Sequence, residues 1–220
     1  MGTLYLIRHG QASFGAADYD VLSEAGHAQS RALGRWFATQ GIRPDRTAHG
    51  GLKRQRDTLS GILDAFDAAP APEVLPGLSE FDFKALLDAR FASGDAPDHL
   101  HDDRRSHFRT LRDTVLMWQR DEVENPPEPW SAFAARVDAA RAALMRDGAE
   151  TVFAVSSGGA ISQMIAATLG APGKAQIELQ LQTRNCAVAR FVFSPRRHFL
   201  NGFNETPFLA SPDDPLLTYS

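Results

Sequence analysis

Leu4-Tyr5-Leu6-Ile7-Arg8-His9-Gly10-Gln11 is the stretch from which the rest of the chain can be read. Leu4 to Ile7 is an apolar run of the length of a short buried strand. Gly10 breaks it, and the two residues before the break are Arg8 and His9. Open α/β sheets place ligands at the carboxyl ends of their strands, so a cation and an imidazole delivered there can form part of a site. Taken alone, the triplet fits a surface Arg-His corner equally well, and the other segments have to decide.

Working outward, two more strand-to-loop junctions carry suitable chemistry. A short strand near Arg46 to Ala48 runs into His49-Gly50-Gly51 and a helix from about Lys53 to Phe66 that begins with Arg54. The β-branched run Thr151 to Val155 reads as a buried parallel strand and opens into Ser156-Ser157-Gly158-Gly159 and a further helix. In a parallel sheet these loops share one edge. They bring together one imidazole, two guanidiniums and a glycine-rich helix start whose free N–H groups and dipole favour an anion. Guanidinium forks match phosphate oxygens. The predicted chemistry is a phosphate pocket containing a histidine.

The remaining segments fill in an α/β pattern. Ser23 is expected to cap a helix closed by Gly41, Glu73 to Leu75 to form a short strand, and Pro76-Gly77 to turn into Leu78-Ser79-Glu80. Lys84 to Asp121 reads as two interrupted helices, ended by the proline-rich Asn125 to Pro129. Ser131 is expected to cap another helix. Cys186 to Phe193 and His198 to Phe203 read as an antiparallel pair, followed by a tail that Leu216, Leu217 and Tyr219 could hold down. Strands alternating with amphipathic helices predict a three-layer α/β/α sandwich with a mainly parallel central sheet. We expect a single domain over residues 1–220, with a helical cap insertion at about 84–130.

Composition narrows the function classes. At 220 residues and a formal charge of −4, the chain is not a dedicated nucleic-acid binder. Cys186 is the only cysteine, which excludes a disulfide framework and a cysteine metal cluster. No apolar run approaches the roughly 20 residues that span a bilayer, no leader is visible, and a cytoplasmic location is expected. The run Asp98-His99-Leu100-His101-Asp102-Asp103 matches no established metal spacing and reads as a solvated face. His27, His107 and His198 read as surface or core residues.

In order along the chain, these motifs resemble the histidine phosphatase superfamily, also called phosphoglycerate-mutase-like. Arg8-His9-Gly10-Gln11 is similar to its Arg-His-Gly signature and Leu22 to Gln29 to its first-helix motif. Leu52-Lys53-Arg54-Gln55, with Thr58, is similar to its second-arginine motif. Leu78-Ser79-Glu80 matches its acidic turn, Val155 to Gly159 its second strand-to-helix turn, and Asn201 and Asn204 its late asparagine. Three departures stand out. Ser157 replaces the usual second histidine, Gly50-Gly51 replaces the more frequent Ser-Pro, and the loop after Gln11 has Ser13, Phe14 and Gly15 instead of the usual asparagine.

The resemblance implies a metal-independent phosphatase without cofactor, acting on a small phosphorylated molecule or phosphate ion. His9 would be the nucleophile and would form a phosphohistidine. Arg8, Arg54, Ser157 and Gly158 would hold the phosphoryl group, and Glu80 would be the acid and base, preferred to its neighbour Asp82 because its turn matches the motif. Gln11, Ser13 and His49 are further candidates, His49 as a stand-in for the lost imidazole. A lost oxyanion-type donor typically costs roughly 100- to 1,000-fold in rate, so a slower enzyme than a two-histidine relative is expected. A phosphoglycerate-type mutase and a weakly active phospho-ligand or partner-binding module are the alternatives. The basic residues Lys84, Arg90, Arg104, Arg105 and Arg109 of the insertion either suit an anionic substrate or balance nearby aspartates. Oligomeric state is open, a homodimer being one option.

Overall fold

The opening apolar run is the fourth of six strands that the described residues form in one sheet. The computed structural model describes residues 1–13, 20–94, 104–146 and 148–219, without the side chains of residues 104–108. Phe14, Gly15, the Asp98 to Asp103 run and the side chains of Arg104, Arg105 and His107 therefore lie outside the described residues.

The strands are β1 (Gly2–Arg8), β2 (Arg46–His49), β3 (Glu73–Val74), β4 (Thr151–Ser156), β5 (Val188–Phe193) and β6 (His198–Glu205), in the order β3-β2-β4-β1-β5-β6. β3, β2, β4 and β1 pair in parallel, and β5 and β6 add an antiparallel edge. Among the described residues, seven helices cover the sheet: α1 (Glu24–Thr39), α2 (Lys53–Leu63), α3 (Phe83–Arg90), α4 (Arg104–Trp118), α5 (Trp130–Leu144), α6 (Gly158–Leu169) and α7 (Gly173–Gln182). Helices lie on both faces of this mostly parallel sheet, the three-layer architecture expected from the alternating pattern.

The alternation of side chains along the strands divides the core in two. Ile7, Phe153 and Val155 face α1 and α2, where they pack with Leu33, Phe37, Leu59 and Ile62. The Phe37 and Phe153 rings lie 4.3 Å apart between centroids. Leu4, Leu6, Val152 and Ala154 face the other layer with Phe133, Ile161 and Ile165. Leu86, Leu111, Val115 and Trp118 of α3 and α4 belong to that same cluster. The segment expected to form a cap therefore shares the main core.

Three local readings need correction. α5 begins at Trp130 behind Pro129, with no side-chain cap, so Ser131 is inside the helix. The Trp130 ring packs 5.0 Å from Trp118 and 5.3 Å from Phe133, which draws the first turn onto the core. α7 has no counterpart in the sequence reading. Ile177, Leu179 and Leu181 alternate with polar residues, a two-residue period that masks a helix, yet the helix buries Gln176 and Ile177. Strand β5 starts at Val188, two residues later than expected, because Cys186 adopts φ 52° and turns the chain first.

The tail is held as anticipated, though mainly by polar atoms. Gln29 Nε2 donates to Leu216 O at 2.8 Å and to Thr218 Oγ1 at 2.7 Å. Thr218 Oγ1 donates to Asn185 Oδ1 at 3.0 Å, and Arg184 forms a bridge with Tyr219. Among the described residues, no helix is long and apolar enough to cross a membrane.

Candidate active site

Strand β1 ends at Arg8, and the chain then presents His9 at the carboxyl edge of the sheet, almost fully buried. Backbone bonds seat it: its N–H donates to Ser156 O at 3.0 Å, and its carbonyl accepts from Cys186 N at 3.3 Å. Asn185 Nδ2 also points at that carbonyl, at 3.4 Å. The ring is fixed by what its nitrogens face. Nδ1 lies 2.8 Å from Gly10 O. A carbonyl only accepts, so Nδ1 carries the proton. Nε2 accepts from Arg54 Nε at 3.2 Å, so its lone pair faces the guanidinium. Burial, then Arg54, then Arg8 push the imidazole well below its ordinary pKa, which keeps it neutral.

Arg54 sits in the first turn of α2, and Asp20 fixes it there. Asp20 Oδ1 accepts from Arg54 Nη1 at 2.9 Å and from its backbone N–H at 3.2 Å, while Oδ2 accepts from Lys53 N at 2.8 Å. One carboxylate thus caps the helix and orients the arginine. Thr58, one turn along, donates to Arg54 O at 2.7 Å and accepts from Gly10 N at 2.9 Å, tying α2 to the histidine loop. Arg8 donates through Nη1 to Thr183 O at the end of α7 and lies beside Gly158.

Glu80 reaches the same edge from the turn after Leu78. Its Oε2 accepts from Gly159 N at 2.9 Å and its Oε1 from Phe81 N at 3.2 Å. Burial pushes the carboxyl above its usual range, against the opposing pull of the Gly159 N–H, Arg54 and the other neighbours. One N–H of the α6 start, read from sequence as an anion site, is thus taken by the chain's own acid. Gly159 has to be glycine for this, since a Cβ there would stand 2.3 Å from Glu80 Oε1. Asp82 is exposed and caps α3, accepting from Ala85 N at 2.9 Å.

Ser157 is the N-cap residue of α6, 1% exposed, and its Oγ accepts from Gln55 Nε2 at 2.9 Å. His49 Nδ1 accepts from Gly51 N at 3.0 Å within its own turn. Burial and Arg56 hold its ring below the ordinary histidine pKa. Gly51 has φ +102°, a value no proline can adopt, which accounts for the absence of Pro at this turn. Gln11 and Ser13 bind towards α1: Gln11 Oε1 accepts from Ser23 Oγ at 2.9 Å, and Ser13 N donates to Val21 O at 2.8 Å. In the insertion, Lys84 pairs with Asp88 at 2.9 Å and Arg90 donates to Thr114 Oγ1 at 2.6 Å, so both cations have partners within the chain. Among the described residues, no group of three metal-ligating side chains converges.

The structure therefore brings Arg8, His9, Arg54, Glu80, Ser157 and Gly158 to one edge. Asp20 and the Thr183 carbonyl were not foreseen from sequence, and Gln55 was seen there only as part of a motif, without a role. Asp20 is 33 positions from Lys53, and no spacing rule joins the two. Asn204, by contrast, was flagged by the motif, and it braces the loop behind Arg8, accepting from Arg184 N and donating to Gln182 O.

Comparison with known proteins identifies the fold and the family. The 2,3-bisphosphoglycerate-dependent phosphoglycerate mutase of Mesorhizobium japonicum is 28% identical over 198 residues, covering 82% of this chain and 88% of that protein. The α-ribazole phosphatase of Shigella flexneri shares the fold with a TM-score of 0.67 at 21% identity, over 93% of this chain and 96% of the other. Phosphoglycerate mutase from Bacillus anthracis does so with 0.64 at 20% identity, over 94% of each chain. The family profile described as histidine phosphatase superfamily (branch 1) matches residues 4–206, so the chain belongs to that superfamily.

Proposed function

We propose that the protein is a phosphatase that hydrolyses a small phosphomonoester through a phosphohistidine on His9. The observation that carries this is the state of the imidazole, with Nδ1–H bound to Gly10 O and the Nε2 lone pair facing Arg54. Nε2 attacks phosphorus in line with the leaving oxygen, and the phosphorus–oxygen ester bond breaks as the nitrogen–phosphorus bond forms. Arg54 and Arg8 hold the non-bridging oxygens as charge redistributes. Glu80 gives its proton to the leaving oxygen, then takes one from the water that cleaves the phosphohistidine. The raised carboxyl pKa supports the acid role at the first step. Two guanidiniums supply the charge neutralisation, so turnover is expected to be insensitive to chelators.

The test is to trap the intermediate. Brief reaction with a phosphomonoester, quenched at alkaline pH, should place a phosphoryl group on the peptide containing His9. His9→Ala should lose the label and on the order of 10⁴-fold or more of the turnover. Wild-type protein that binds phosphate but is never labelled would instead be a binding module. A screen of phosphorylated metabolites then identifies the substrate.

The relative from M. japonicum, named as a 2,3-bisphosphoglycerate-dependent mutase, supports a second reading, phosphoryl transfer between positions of one substrate. Stimulation by 2,3-bisphosphoglycerate would select it. Ser157 in place of a second histidine favours hydrolysis, because a mutase must retain its phosphohistidine until it is transferred again.

A further inference from the structure

Gln55 lies on α2 with its side chain fully buried, and chemistry fixes which way its amide points. Nε2 stands 3.1 Å from Leu78 O and 2.9 Å from Ser157 Oγ. A carbonyl oxygen only accepts, so the nitrogen has to be the atom facing Leu78. The second proton of the same NH2 group goes to Ser157 Oγ. Ser157 is therefore an acceptor towards α2, and its own proton is directed elsewhere. Among the described residues, no acceptor takes that proton.

Strand register shows where the hydroxyl stands. Arg8 and Ser156 are paired between β1 and β4, so His9 and Ser157 follow side by side as the strands end. Their places in the alternation continue Ile7 and Val155, which face α2. Arg54 of the same helix reaches His9 Nε2. Ser157 thus flanks the nucleophile on the face where the phosphoryl group would lie.

The rest of the Gln55 side chain is poorly explained by stability. Its Oε1 is buried without a hydrogen-bond partner. It faces Gly50, where a Cβ would stand 2.4 Å away. A buried carbonyl without a donor destabilises a fold. Leu78 O has another donor, Ser156 Oγ at 2.6 Å, so a leucine at position 55 would orphan no carbonyl. The group that a leucine there would leave without its partner is Ser157 Oγ.

We propose that Gln55 is a positioning residue. It turns the Ser157 proton towards the His9 side, so that Ser157 acts as a neutral hydrogen-bond donor to a non-bridging phosphoryl oxygen. The inference rests on the phosphoryl-transfer reading above. It also means that this donor, unlike an imidazole, does not titrate near neutral pH.

Gln55→Glu separates this role from packing. A carboxyl at that position carries at most one proton, which Leu78 O takes, so the Ser157 hydroxyl has to turn and donate towards α2. Ser157→Ala and Gln55→Glu should each lower kcat/KM by roughly 100-fold. In the Ser157→Ala background, Gln55→Glu should change it by no more than about threefold, because residues acting through one bond are not additive. Gln55→Leu should lose turnover while keeping its thermal midpoint. A full Gln55→Glu penalty in the Ser157→Ala background would overturn the proposal, as would wild-type turnover in Ser157→Ala. Binding of inorganic phosphate, followed by calorimetry, reads the same bond without chemistry. Wild type should bind about tenfold more tightly than either single variant, and equal affinities would overturn the proposal. Wild-type turnover in His9→Ala would instead refute the phosphohistidine reading, while the 55–157 coupling in phosphate affinity would still decide this one.

Discussion

Two helices start at the same edge of the sheet, and each receives a carboxylate from a distant part of the chain. At α2 the carboxylate is Asp20, which accepts from two backbone N–H groups and from the Arg54 guanidinium at 2.9 Å, with a third of its side chain exposed. At α6 it is Glu80, which accepts from Gly159 N but is desolvated, so that its pKa rises. The capping geometry is alike and the outcome differs. Beside a guanidinium and water, the carboxylate serves as a fixed anion that aims an arginine. Half-buried and desolvated, it has its pKa pushed above the ordinary carboxylate value. Environment, rather than capping geometry, sets the two carboxylates apart.

The largest expected effect breaks the α6 side. Glu80→Gln should lower kcat roughly 100- to 10,000-fold on alkyl phosphates, whose leaving oxygen needs a proton, and far less on p-nitrophenyl phosphate. Comparable losses on both substrates would remove Glu80 from the acid role. Next comes Gly159→Ala, whose Cβ would displace Glu80. It should approach the Glu80→Gln loss in steady-state assays without altering phosphate affinity.

The α2 side should respond more gently. Asp20→Ala leaves Arg54 in place but unaimed, and should reduce kcat/KM about tenfold, mainly through KM. Loss of the cap should also lower stability by about 1 kcal/mol, measurable by denaturant melts. A loss of kcat equal to that of Glu80→Gln would erase the distinction between the two carboxylates.

The smallest effect is a pH signature. Because the folded Glu80 pKa is raised, the native state resists an ionisation that the unfolded chain undergoes. The cost is absent below the ordinary carboxylate pKa, grows as pH rises from there towards the shifted one, and is constant above it. Glu80→Gln should therefore raise the thermal midpoint at pH 8 more than at pH 5. The activity profile should share that origin. Its alkaline limb, where Glu80 loses its proton, should lie above the ordinary carboxylate range and vanish in Glu80→Gln. Its acid limb, where His9 gains one, should lie below the ordinary imidazole value.

Much of this edge was legible from sequence because the relevant groups sit where strands stop. Arg8, His9, Ser157 and Gly158 follow apolar runs, and Arg54 opens a helix directly after a glycine turn. The four parallel strands and both helical layers follow from the same punctuation. What was hidden depends on separation or on competing periodicity. Asp20 acts on Lys53 and Arg54 through space, and α7 is masked by its alternating leucines. Gln55 stands inside a recognised motif, yet its role appears only once Leu78 and Ser157 are seen around it. Asp82 illustrates the converse: its rivalry with Glu80 ends in an ordinary cap on an exposed helix start.

The polar anchoring of the tail bears on the order of assembly. The backbone beneath His9 is held by Asn185, Asn185 by Thr218, and Thr218 by Gln29, 189 positions away. Contacts of such separation are closed late, after the loop entropy between them has been overcome. A chain still emerging from the ribosome can form β1 and α1 early, but His9 acquires its final seat only when residues near 218 have been made. Truncations that remove residues near 218 should therefore loosen His9, distant as it is in sequence.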